Sequence, residues 1–320
     1  MAWMNVYDEE TSLLARIAWM YYIQGMTQEE VAEKLKFSRT KVTRMLAKAR
    51  DAGIVEININ NSFRSCLDTE DMLKNRLKLQ EVIIVPTGNT EEETKAGVGK
   101  ACAAFIEQIL EDGDILGIAW GTSLYNAGKY LRVQKPRNIT VIQLMGGLNV
   151  SEKINPQEIL KLIASKLNAT GVWLNTPAIV DTPKIKKALL SDEGVSRALE
   201  RGKSCTKAII GLGDVTNDAS LIACNALTTK DMEELKSMGA VGDILSWFFD
   251  INGVPIQNNM AERAISVPLE DIKKIPLRIG VTAGVRKAGA ILGAIRGGYL
   301  NALVTDEKTA KEVLRLNEQV

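Results

Sequence analysis

The 320-residue chain contains no histidine. Histidine is the commonest general base near neutral pH and the commonest nitrogen ligand for metals. Its absence removes the usual acid–base relays and the usual zinc and iron sites. Cysteine is sparse: Cys66, Cys102, Cys205 and Cys224 lie far apart and form no CxxC pair. That spacing excludes a zinc ribbon and a disulfide framework. Isolated thiols fit a reducing cytoplasm, where small buried side chains are their simplest use. No apolar run reaches the ~18 residues of a spanning helix. Asp8-Glu9-Glu10 replaces the basic region of a secretory signal. A cytoplasmic protein without membrane partner or cofactor is expected. The net charge of +1 gives no overall nucleic-acid signal, so any basic footprint must be local.

What is present is an ordinary globular composition, 46% apolar and 25% charged, on a chain long enough for two domains. Residues 1–60 read as three helices and a ribbon. Leu13, Leu14, Ile17, Ala18, Tyr21 and Tyr22 recur at helical spacing, and Gly25 suits a C-terminal cap. Thr27-Gln28-Glu29-Glu30 has the form of a capping box before Val31, Ala32 and Leu35. Phe37-Ser38 makes a turn, with Ser38 placed to cap a helix that packs through Val42, Leu46 and Ala49 and stops at Gly53. Val55, Ile57 and Ile59 alternate with polar residues, the mark of a half-buried strand, so a wing is expected over 55–63.

Charge is concentrated on the third helix. Lys36, Arg39, Lys41, Arg44, Lys48 and Arg50 occur with no acid among them. Arg39 and Lys41 sit in the first turn, where the helix dipole prefers acids. A helix that accepts that cost, beside an anion-binding terminus, suits phosphates. The pattern is that of a helix-turn-helix whose second helix enters the major groove of double-stranded DNA. Arg39, Thr40, Thr43 and Arg44 point away from the apolar face and are the candidates for base contacts. Lys36, Lys41, Lys48 and Arg50, with Ser38 at the helix start, suit phosphate contacts. The bland alternative is a solvated basic face on a structural three-helix unit.

Residues 61–80 read as a helical linker or oligomerisation segment, with Leu67, Met72, Leu73 and Leu77 as its stripe. From residue 81 to 320 strands and helices alternate. Strands are expected at 82–85, 115–120, 139–145, 170–175, 207–211, 275–281 and 299–304. Helices are expected at 92–111, 123–132, 155–168, 184–200, 286–296 and 306–316. This alternation predicts an α/β domain with a mainly parallel sheet, covered on both faces. Ligands of such sheets bind where strands end in short glycine-rich turns. Five turns qualify: 117–123, with Gly121, Thr122 and Ser123; 143–147, with Gly146 and Gly147; 211–214, ending in Asp214; 239–243, ending in Asp243; and 283–288, with Arg286 and Lys287. Amides and cations beside two carboxylates suit a small, anionic, polyhydroxylated ligand. No GxxxxGK[ST] motif is present and no GxGxxG opens the first strand–helix unit, so a nucleotide is not favoured.

The segments Ala15–Tyr22, Met26-Thr27-Gln28, Lys41–Leu46 and Gly53-Ile54-Val55 resemble the N-terminus of the SorC family of sugar-responsive bacterial regulators. The similarity continues through Gly117–Thr122, Gln143–Gly147, Pro177–Val180, Gly211–Asp214, Gly239–Asp243 and Asn301–Asp306, in order. The resemblance implies a winged helix-turn-helix joined to a Rossmann-like, sugar-isomerase-like effector domain. It implies homo-oligomers, dimers or tetramers, on operator DNA, controlling carbohydrate uptake or catabolism under a sugar or sugar-phosphate effector. It implies that Gly121, Thr122, Ser123 and Lys287 hold the phosphate and that Asp243 lines the effector site. The alternative is an active sugar-phosphate isomerase or deaminase. Asp214 or Asp243 can supply a base for that chemistry, but nothing supplies the ring-opening histidine. A constitutive DNA-binding protein with a purely structural second domain leaves the glycine-rich turns without a role.

Overall fold

Helical periodicity near the N-terminus produces α1 (Glu9–Tyr22), α2 (Gln28–Leu35) and α3 (Arg39–Asp51). The computed structural model describes residues 9–56, 61–133, 138–148, 155–217, 219–224 and 226–319. The chain divides into two units, Met1–Asn60 and Asn61–Val320. In the first, Leu14, Ile17 and Ala18 of α1, Val31 and Ala32 of α2, and Val42, Leu46 and Ala49 of α3 form one buried cluster. Tyr22, expected on the inner face of α1, is exposed. The expected ribbon does not extend over 55–63. Residues 57–60 lie outside the described residues, and residues 61–63 open a helix, α4 (Asn61–Leu77).

The second unit runs α4, β1 (Glu81–Val85), α5 (Glu91–Ile109), β2 (Ile115–Ile118), α6 (Thr122–Tyr130), β3 (Thr140–Gln143), α7 (Pro156–Leu167) and β4 (Thr170–Val172). It continues with α8 (Pro183–Leu190), α9 (Glu193–Lys203), β5 (Lys207–Ile210), β6 (Gly213–Asp214), α10 (Ser220–Ala223), α11 (Thr229–Ser237), β7 (Gly242–Ile244) and β8 (Trp247–Phe249). It closes with α12 (Asn259–Arg263), α13 (Leu269–Ile272), β9 (Leu277–Val281), a 3-10 turn (Val285–Lys287), α14 (Ala288–Arg296), β10 (Ala302–Asp306) and α15 (Glu307–Asn317). Helix α4 packs on β1 and α15, burying Cys66 and Leu73 and leaving Leu67 and Met72 exposed.

Seven strands form one parallel sheet in the order β1-β10-β9-β5-β2-β3-β4. The fold is therefore mixed α/β with a mainly parallel sheet. Helices α5, α6 and α7 make one layer, and α4, α15 and α14 another. Because both faces are covered, β10 buries all five residues instead of alternating. A second, antiparallel sheet, β6-β7-β8, takes up the apolar run after Gly242. The strands expected at 115–120, 139–145, 170–175 and 275–281 are shorter than expected, and three other boundaries change for local reasons. The helix expected at 184–200 breaks at Ser191, because the Asp192 side chain accepts the Val195 N–H at 3.0 Å and starts α9. The 286–296 helix begins with the 3-10 turn. The last strand starts at Ala302, not Tyr299. The Tyr299 N–H still closes α14 on Ala294 O, and its hydroxyl donates to Gly253 O at 2.7 Å.

Candidate functional site

The strand order reverses between β2 and β5. From β2 the chain proceeds to β3 and β4 on one side; β5 returns to the other edge of β2 and leads to β9 and β10. Crossovers on the two sides then leave a crevice at the carboxyl ends of these strands, where open α/β sheets bind ligands. A cleft lies there. It is lined by Trp120–Leu124 after β2, Gly211–Asp214 after β5, Thr282, Arg286 and Lys287 after β9, and Asp243 of β7.

Gly121 precedes α6 with φ +124° and gives no side-chain cap, so the first-turn amides of α6 face the cleft beside Thr122 and the buried Ser123. Such amides, with the dipole behind them, favour an anion. Gly211 permits the two strand ends to approach: a Cβ there would lie 2.3 Å from Trp120 O. Lys287 Nζ donates to Leu212 O at 2.7 Å. Burial lowers its pKa; Asp214 opposes that effect and the like charge of Lys95 reinforces it.

Two buried carboxylates face these cations. Asp214 accepts from Thr216 Oγ1 at 2.9 Å and lies 3.9 Å from Arg286 Nε. Asp243 is 2% exposed, and burial pushes its carboxyl up to about 6 against the Ser246 N–H and Lys287. Gly213 makes room for it, since a Cβ there would lie 1.9 Å from Asp243 Oδ1. Asp243 also fastens the β7–β8 turn. Leu245 (φ 53°) and Ser246 (φ 67°) are both left-handed without being glycine, which is strained. The Asp243 carboxylate accepts the Ser246 N–H at 3.0 Å, and Ser266 Oγ donates to Leu245 O at 3.0 Å, so the surroundings hold the turn in place.

Gly121, Thr122, Ser123, Asp214, Asp243 and Lys287 thus meet in one cleft. Gly146 and Gly147 do not line it. The Gly146 N–H bonds Ile265 O and the Gly147 N–H bonds Thr176 O, and a Cβ on Gly146 would lie 2.3 Å from Pro177 O. The bare Gly146 lets the backbone of 177–178 approach, and a Cβ on Gly147 would lie 3.0 Å from the Gln157 side chain.

In the first unit, the Thr27 capping box forms as expected, with the Glu30 N–H at 3.2 Å from Thr27 Oγ1 and the Thr27 N–H at 2.7 Å from Glu30 Oε2. Lys36 ends α2 in a left-handed conformation, and Ser38 Oγ accepts the Lys41 N–H at 3.2 Å. Lys36, Ser38, Arg39, Thr40, Thr43, Arg44 and Lys48 are exposed on the turn and on α3. Two of these and the half-buried Lys41 are already engaged: Arg39 Nε with Glu29 at 3.8 Å, Lys48 with Glu10 at 2.5 Å, and Lys41 over the Phe37 ring at 3.8 Å. Thr43 Oγ1 donates to Gln28 Oε1 at 2.7 Å, which ties α3 to α2.

Comparison with known proteins adds the family. Residues 61–315 match the family model described as "Putative sugar-binding domain". The chain is 32% identical over 314 residues to the Transcriptional regulator LsrR of Escherichia coli (strain K12), covering 96% of this chain and 95% of that one. It is 30% identical to the Deoxyribonucleoside regulator of Bacillus subtilis (strain 168), covering 96% and 98%. The crystal structure of the full-length Sorbitol Operon Regulator SorC from Klebsiella pneumoniae superposes with a TM-score of 0.75 at 29% identity, covering 96% of this chain and 100% of that one. The chain belongs to the SorC family of transcriptional regulators. These relatives are named as regulators, and the role of this SorC-family chain is regulatory, not enzymatic.

The cleft of this SorC-family chain also contains residues that the sequence did not single out: Glu91, Lys95, Ser220 and Thr282. Glu91 and Lys95 carry no glycine signature. Their one legible signal is position, on the helix that follows β1 and so at the ligand edge of the sheet. Among the described residues no helix is long and apolar enough to cross a membrane, and no acid or thiol cluster is suited to a metal.

Proposed function

We propose that this chain is a cytoplasmic, sequence-specific DNA-binding regulator of a carbohydrate-uptake or catabolism operon, controlled by a phosphorylated sugar. Residues 1–60 are the DNA-binding domain, residues 61–80 link it and contribute to a homo-oligomer, and residues 81–320 bind the effector in a Rossmann-like, sugar-isomerase-like domain. Helices α2 and α3 act as the helix-turn-helix. Arg39, Thr40, Thr43 and Arg44 reach base edges, while Lys36, Ser38, Lys41 and Lys48 serve the phosphates.

One observation carries the effector reading: the open N-terminus of α6, the half-buried Lys287 ammonium and the carboxylates of Asp214 and Asp243 converge on one cleft at the strand reversal. The amides of Gly121, Thr122 and Ser123 and Lys287 take the phosphate, and the two acids take sugar hydroxyls. The effector acts by binding one state of the regulator better than the other. Names such as sorbitol operon regulator and deoxyribonucleoside regulator among the relatives support an effector of this class.

A thermal-shift screen of the full chain tests the reading. A sugar phosphate at a hundred times its Kd stabilises by about 2.7 kcal/mol, and the unphosphorylated sugar by much less. Lys287→Met removes the difference. Equal shifts for both ligands, or a Lys287→Met response like that of the wild type, contradict the phosphate assignment.

A further inference from the structure

One wall of the cleft has no role in this reading. Glu91 and Lys95 lie on the first two turns of α5 and line the cleft. Lys95 Nζ is 2.5 Å from Glu91 Oε1; the lysine side chain is 25% exposed and the glutamate 62%. The helix does not need Glu91 for its own cap. Thr90 Oγ1 accepts the Glu93 N–H at 3.1 Å, and the Glu93 carboxylate accepts the Asn89 N–H at 2.9 Å. The Glu91 carboxylate is left to Lys95, whose hydrogen bond and charge hold it below the usual carboxylate range, helped by Arg286 and Lys287.

Lys95, Arg286 and Lys287 therefore gather at one mouth, close enough for Lys95 to disfavour the charge on Lys287. Clustering like charges at a partly desolvated site is unfavourable until an anion joins them. Glu91 is the anion that serves Lys95 now, and an i,i+4 pair whose carboxylate is exposed is weak. A phosphoryl group carries more charge than a carboxylate and three strong acceptor oxygens. A neutral sugar hydroxyl has neither advantage over Glu91.

We propose that Glu91 occupies the place of a ligand phosphate at Lys95, and that a phosphoryl group displaces it. Lys95 is then the cation that discriminates phosphorylated from unphosphorylated ligands. The proposal rests on the phosphosugar reading above and adds a residue and an exchange to it.

The full-length protein and its Glu91→Gln, Lys95→Met and Lys95→Arg variants are titrated calorimetrically with inorganic phosphate, a panel of pentose and hexose phosphates, and the unphosphorylated sugars. Removing the internal competitor in Glu91→Gln tightens phosphate binding severalfold. Removing the cation in Lys95→Met weakens it about tenfold, the scale of one charge-assisted hydrogen bond. Lys95→Arg retains binding, and the double variant Glu91→Gln/Lys95→Met behaves as Lys95→Met alone. Binding of unphosphorylated sugar is the same in all. If the wild type binds phosphates and both single variants match it, the exchange is refuted and the phosphosugar reading stands. If the wild type binds neither inorganic phosphate nor any sugar phosphate, both are refuted.

Discussion

Replacing Asp243 by asparagine tests whether the cleft maintains a charge at the expense of stability. The carboxyl is 2% exposed and its pKa is raised from the ordinary 3.8 to about 6, chiefly by burial. A raised carboxylate pKa means that the folded state binds the proton more tightly than the unfolded chain. Between pH ~4 and ~6 the native state therefore holds more protons, and stability falls as pH rises through that window. Above pH ~6 the folded protein carries a buried carboxylate at a cost of about 3 kcal/mol relative to the neutral acid. The asparagine amide is neutral at every pH and keeps an oxygen to accept the Ser246 N–H, so the strained turn stays fastened. Asp243→Asn should raise the melting temperature of the α/β unit at pH 7.5 by several degrees, at roughly 2–4 °C per kcal/mol. Near pH 4.5 the gain should disappear. Differential scanning calorimetry at the two pH values decides it. A gain of the same size at both, or a loss at pH 7.5, would refute the burial argument.

Three further outcomes follow from local geometry. Gly146→Ala drives a Cβ against Pro177 O and should destabilise the α/β unit by about 1–3 kcal/mol. Ligand affinity of the folded fraction should stay unchanged, because Gly146 does not line the cleft; a large affinity loss in titration would return it to the site. Ser38→Ala removes the cap of α3 and should cost the first unit about 1 kcal/mol, measured by urea unfolding. Arg44→Ala should weaken specific operator binding far more than non-specific binding at fixed salt. Equal losses on both would make Arg44 a phosphate contact.

The parallel α/β layout was legible because strand–helix alternation and buried β-branched runs are properties of long segments. Residues 212–274 were not. Strands β6, β7 and β8 have two or three residues each, too short for any periodicity to register. The two-residue turn between β7 and β8 uses Leu245 and Ser246 where turn chemistry favours glycine or asparagine, so it left no signal. Of the positions the glycine rule singles out, Gly121 and the 211–214 turn line the cleft, and Gly146 and Gly147 do not. A glycine that admits a ligand and a glycine that admits a neighbouring backbone look the same in sequence. Asp243 stood out as an acid after a glycine turn, but its burial depends on Gly213 and Lys287, distant along the chain, and its second task, holding Ser246 three residues on, belongs to a turn that left no signal. Lys95 was invisible because a Glu–Lys pair four residues apart is an ordinary feature of a helix surface.

Fluorescence anisotropy of the full-length protein on an operator duplex selected from a random pool, titrated with sugar phosphates at fixed salt, tests the central claim most directly. The account predicts that one phosphorylated sugar changes operator affinity by about fivefold or more, the lower end of ordinary allosteric coupling, and that Lys287→Met abolishes the response while still binding the duplex. Operator affinity that no sugar phosphate alters, in a protein that binds those ligands, would contradict it.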